Sequence, residues 1–102
     1  MTKQQQRLAL TSAFANVFRH CSGQWYYRRS ASDKWQHCLD NDPLADLNAI
    51  HCVEQTLTEE QMGAWYGHLH KACRTAKMVC VAKATPEQRT EAILRTLNLY
   101  HA

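Results

Sequence analysis

The sequence predicts a two-layer α+β domain over residues 1–102, in which a small three-stranded antiparallel sheet packs one face against about four helices. Three observations predict it. Two aromatic-rich runs, QWYYRR at Gln24–Arg29 and KWQHCL at Lys34–Leu39, flank a turn-like Ser-Ala-Ser-Asp. Thr2, Thr58 and Thr85 each precede a glutamine by three residues, the capping-box spacing, and open amphipathic stretches. A short β-branched run, MVCVA at Met78–Ala82, is bounded by polar residues and reads as a third strand. The expected order is α-β-β-α-α-β-α.

In chain order, Thr2 caps a first helix expected to span Lys3 to Cys21, with Leu10, Phe14, Val17 or Phe18 at helical intervals and Gly23 as its stop. The hairpin follows. Alternation puts Trp25 and Tyr27 on one face and Tyr26 and Arg28 on the other, with Trp35, His37 and Leu39 sharing a face of the partner strand. Asp42 as N-cap and Pro43 at the first helical position predict a helix to about Gln55, with Leu44, Leu47 and Ile50 on its stripe. Leu57 and Met62 have the spacing of a hydrophobic staple around Thr58. The helix beyond them carries Met62, Trp65, Tyr66, Leu69 and Cys73, a stripe expected to be deeply packed, with Gly63 and Gly67 expected to allow close helix approach. Thr85 caps the last helix, where Ala92, Ile93, Leu97 and Tyr100 are expected to face inward.

A hydrophobic fraction of 45% with 21% charged residues fits a folded chain, and no apolar run approaches the length of about 20 residues that a membrane helix needs. The N-terminal segment lacks an apolar h-region and a cleavage site, so the expected location is the cytoplasm, without membrane contact. Five cysteines is an odd number, and all five are read as thiols. The formal charge of +3 is mild, and no basic run exceeds Arg28-Arg29, which argues against a dedicated DNA-binding arm. The oligomeric state is open, a homodimer included.

His-Cys occurs three times, at His20, His37 and His51, yet adjacent residues point to different sides of a strand or helix and each pair offers one metal ligand at most. His70 with Cys73 is the one pair on a shared helical face. Neither a close cysteine pair, nor a glycine-framed nucleophile, nor a phosphate-cradling loop is present, so no catalytic residue, metal or cofactor is assigned. The strongest surface is the hairpin itself, where Trp25, Tyr26, Arg28, Arg29, Lys34 and Trp35 form the candidate partner-binding set. The second reading is a single-stranded nucleic-acid module built on the aromatic and basic residues of 24–35.

TKQQQRLAL at the start, DPLADLNAIHCVEQTLTEEQ in the middle and ATPEQRTEAILRTLNLY at the end resemble a family of small bacteriophage and prophage proteins. That family shows D-P-L-N-D-L-N-A-M-H-E-x-E-x-x-L-T centrally and A-T-A-x-Q-R-x-E-A-x-L-R-T-L at the C-terminus. The chain departs from the pattern at Ala45, Cys52 and Pro86, and the hairpin is loosely matched. The resemblance implies a phage accessory protein in a bacterial cytoplasm that binds one host or phage protein, host defence systems included; no reaction is carried over. If the cysteines are plain thiols, elemental analysis of the purified protein is expected to find no stoichiometric metal. About one zinc per chain, lost on Cys73→Ser, is the opposite outcome.

Overall fold

The computed structural model describes residues 1–75 and 83–101. Among the described residues, four helices and a three-stranded antiparallel sheet make it an α+β fold: α1 (Lys3–Ala13), β1 (Phe18–Cys21), β2 (Gln24–Tyr27), β3 (Gln36–His37), α2 (Leu47–Glu54), α3 (Glu59–Thr75) and α4 (Pro86–Thr96). A 3-10 turn at Leu39–Asn41 links β3 towards α2. The expected strand at Met78–Ala82 lies outside the described residues.

The first correction concerns the chain after α1. The capping box at Thr2 and Gln5 forms, but the helix ends at Ala13, with Phe14 as its C-cap, rather than at Cys21. Phe18–Cys21 is instead β1, an edge strand of the sheet, paired with β2 so that Phe18 faces Tyr27 and Cys21 faces Gln24. The two strands are joined by Ser22 and Gly23 at φ 53° and 75°, the positive pair that a type I′ hairpin turn requires. Gly23 therefore closes a hairpin and does not stop a helix. β2 pairs in turn with β3, Tyr26 opposite His37 and Tyr27 opposite Gln36, so the expected hairpin of the two aromatic runs forms with strands shorter than Gln24–Arg29 and Lys34–Leu39.

The second correction concerns α2, which begins at Leu47 and is capped by Asp46 rather than Asp42. Asp46 spends one oxygen on the Ala49 amide (3.1 Å) and the other on the Leu39 amide (2.8 Å), so a single buried carboxylate ties the 3-10 turn to the helix. Asp42 caps only the Pro43 turn, accepting from the Leu44 amide at 3.0 Å, and takes a second hydrogen bond from Arg7 Nε at 3.0 Å that pins α1 to this loop.

α4 is the helix on which the others converge, packing against α1, α2 and α3. Its Thr85/Gln88 capping box forms with Pro86 at the start, and Ala92, Ile93 and Leu94 are sealed from solvent. Ile93 and Leu94 join Leu10, Val17, Phe18, Tyr27, Cys38, Leu44, Ala49, Ile50 and Val53 in the main core, while Ala92 packs with Leu69, Cys73 and Ala84. The stripe on α3 is shallower than expected: Leu69 and Cys73 are buried, but Met62 and Tyr66 are exposed. Gly63 and Gly67 approach nothing, since no described atom lies within 4 Å of where a β-carbon would sit.

Burial alone would raise the pKa of Asp42, but the hydrogen bonds from Arg7 and the Leu44 amide, with the charges of Arg7 and Lys3, outweigh it and hold the carboxyl below its ordinary value. A folded pKa below the unfolded one gives a stabilisation that is complete above the unfolded value of about 4 and is lost as the pH falls through the folded one. Urea titrations of the wild type and Asp42→Asn at stepped pH are expected to show this: the variant is weaker at neutral pH, and the gap closes below about pH 4. A gap that persists unchanged into acid would refute the linkage.

Candidate binding face

Strand alternation divides the hairpin residues between two surfaces. Phe18 and Tyr27 turn inward, and Trp25, on the same side of β2, packs against the core and stacks on His20 at 4.4 Å between ring centroids. On the opposite side of the sheet lie Arg19, Tyr26, His37, Arg28 and Trp35. Tyr26 meets His37 edge-on at 5.5 Å, and His37 Nε2 hydrogen-bonds to Gln24 Oε1. Arg28 lays its guanidinium over the Trp35 ring at 4.1 Å, and Arg19 reaches the same ring at 5.9 Å, the outer limit for a cation–π contact. Arg28 is held further by the carbonyls of Asn16 and Ala31, both at 3.4 Å.

Of the six residues expected to bind a partner, Tyr26, Arg28 and Trp35 thus come together on this outer face. Trp25 belongs to the inner side. Arg29 and Lys34 line a separate groove against α2, where Arg29 pairs with Asp33 at 3.2 Å. Arg19 and His37 complete the outer face and were not among the six. Arg19 was hidden by its assignment to a helix; the signal that finds it is the two-residue Ser22-Gly23 loop between two strand-like runs.

The electrostatics single out the same segment. Residues 18–37 hold four of the twelve lysines and arginines and one of the nine acidic residues, so the whole formal excess of +3 resides there and the rest of the chain is neutral. A charge that looks mild when averaged over the chain is concentrated on one small sheet and its loop. The face offers planar donors matched to carboxylate or phosphate, beside aromatic surface.

Among the described residues no three histidines, cysteines or acids gather as metal ligands; His70 is exposed while Cys73 is buried. No described helix is long and apolar enough to cross a membrane. No family model, curated protein or solved structure matches the chain.

The thiols differ in environment. Burial, reinforced by the charges of Asp46 and Asp42, pushes Cys38 up to about 12; burial also raises Cys52, with Arg29 pulling the other way, whereas Cys21 stands exposed at the hairpin tip. Because the thiolate is the reactive species, iodoacetamide at about pH 8 is expected to modify Cys21 first, Cys52 more slowly and Cys38 only on unfolding. Peptide mapping by mass spectrometry reads the order, and Cys38 labelled as fast as Cys21 in folded protein contradicts it.

Proposed function

We propose that this chain is a non-enzymatic interaction protein of phage origin, acting in the bacterial cytoplasm by stoichiometric binding to an acidic surface of a host protein, and that the outer sheet face is the binding surface. The observation that carries this reading is the Arg19–Trp35–Arg28 arrangement, in which two guanidiniums are ordered around one exposed-side indole. Tryptophan, tyrosine and arginine are the residues that dominate binding energy at protein interfaces, and guanidiniums ordered before binding lose less entropy when a carboxylate arrives. The phage resemblance supplies the context, and inhibition of antiviral defence is the outcome such binding would serve.

A second reading, a single-stranded nucleic-acid module, is favoured by the exposed-side Tyr26 and His37 rings next to the same cations. Against it, Arg28 covers the Trp35 ring, so a base would have to displace the guanidinium in order to stack there.

Pull-down from bacterial lysate, followed by quantitative binding to the recovered protein, tests the choice. Arg28→Ala is expected to weaken the complex by about 2 kcal/mol or more, roughly thirtyfold in Kd, and Arg19→Ala by less. Loss of specific capture by neither substitution would sink the assignment of the face. Tight binding of an oligothymidylate that collapses between low and moderate salt, with no protein captured, would favour the second reading.

A further inference from the structure

Beside the sheet, between the β2–β3 loop and one side of α2, runs a groove of about 480 Å3. The loop side presents Arg29, Lys34 and Gln36; the helix presents Asn48, His51 and Gln55, whose spacing of three and four residues places them on one face. We propose that this groove is a binding site for a small phosphate-bearing ligand, with Arg29 and Lys34 supplying charge and His51 and the three carboxamides supplying directed hydrogen bonds. The site is separate from the outer sheet face and does not depend on its role.

The groove is built for an anion with several oxygens. Its single acid, Asp33, is already engaged by Arg29 at 3.2 Å, and this is an exposed pair of the kind that contributes little and exchanges readily. A phosphate carries more charge and more acceptor oxygens than one carboxylate and matches the guanidinium fork, so it replaces Asp33 on Arg29 without uncovering a buried charge. Gln36 is oriented: its Oε1 accepts from the Tyr27 hydroxyl at 3.1 Å, which makes the amide nitrogen its donor end.

His51 is positioned from behind. Its Nδ1 lies 2.8 Å from Glu54 Oε1, and Glu54 is itself held by Arg89 through contacts of 3.2 and 3.0 Å in the interior. With a carboxylate as partner, Nδ1 carries the hydrogen and Nε2 remains the ring's second polar atom. The buried pair thus fixes the imidazole of a half-exposed histidine at the groove wall, a degree of ordering that surface solvation alone does not call for.

The test is a titration of the full, isotope-labelled chain with inorganic phosphate and with pyrophosphate at constant ionic strength, following the side-chain amides of Gln36, Asn48 and Gln55 and the His51 ring by NMR. Saturable shifts at these positions with a Kd of about 1 mM or tighter are expected. Arg29→Ala with Lys34→Ala is expected to weaken binding at least about tenfold, and so is Asn48→Asp, an exposed change that leaves the buried side of α2 intact. Arg19→Ala with Arg28→Ala, on the outer sheet face, is expected to leave it unchanged, which separates this site from the protein-binding surface. Equal shifts with acetate, no saturation by about 50 mM phosphate, or undiminished affinity in folded Arg29→Ala/Lys34→Ala protein would overturn the proposal.

Discussion

The fold turns on the contact of Arg89 Nη1, on α4, with both carboxylate oxygens of Glu54, on α2. Both residues are almost wholly buried, and they lie 35 positions apart in the chain. Removing two charges from water costs several kcal/mol per ion, so such a pair rarely exceeds an apolar pair in stability; its effect is to exclude other arrangements. Without Arg89, the buried Glu54 would keep only the half-exposed His51 as a side-chain partner among the described residues. The rotation of α2 against α4 is therefore fixed more tightly than by the surrounding aliphatic side chains, which could repack in several ways. Because α4 also packs on α1 and α3, fixing this one angle sets the surface on which the other helices sit.

The sheet is too small to stand alone, and side chains extend it. β3 has only two residues, yet Cys38 donates to the Trp25 carbonyl at 2.9 Å beyond it. Asn41, at φ 53°, then bridges back with both ends of its carboxamide, accepting from the Trp25 amide at 2.7 Å and donating to the Gly23 carbonyl at 3.0 Å. Asp46 continues the series into α2. Two short polar side chains, with the Cys38 amide, thus carry the work of a longer strand, and the price in chain conformation falls on Asp40 and Asn41, residue types that tolerate positive φ.

Elements whose cause is local were legible in the sequence. The capping boxes at Thr2, Thr58 and Thr85 form with the glutamines that announce them. The division of β2 into two faces followed from alternation, while the burial of Tyr27 with Phe18 decides which of them is inner. What was not legible depends on partners far away in the chain. Residues 14–17 contain no helix breaker, yet α1 ends at Ala13, and the turn that follows buries Val17 while β1 buries Phe18 in the main core. Asp42 and Asp46 are both acceptable N-caps by type; Arg7 claims the first and the Leu39 amide the second, and neither contact has a local signature. The outer sheet face was half seen for the same reason, since Arg19 reaches Trp35 only once β1 exists.

The adjacent pair Arg28 and Arg29 shows how the fold converts a plain sequence feature into two surfaces. In isolation the dipeptide is a minor basic run. At the end of β2 successive side chains leave on opposite sides of the sheet, so Arg28 stacks on Trp35 while Arg29 turns to the groove beside α2. A slip of one residue in register would exchange them and would bring Tyr26 into the core in place of Tyr27. The burial of Tyr27 with Phe18 is what forbids that slip. Core packing on one side of the sheet thereby determines which cation lies on the outer face and which lines the groove.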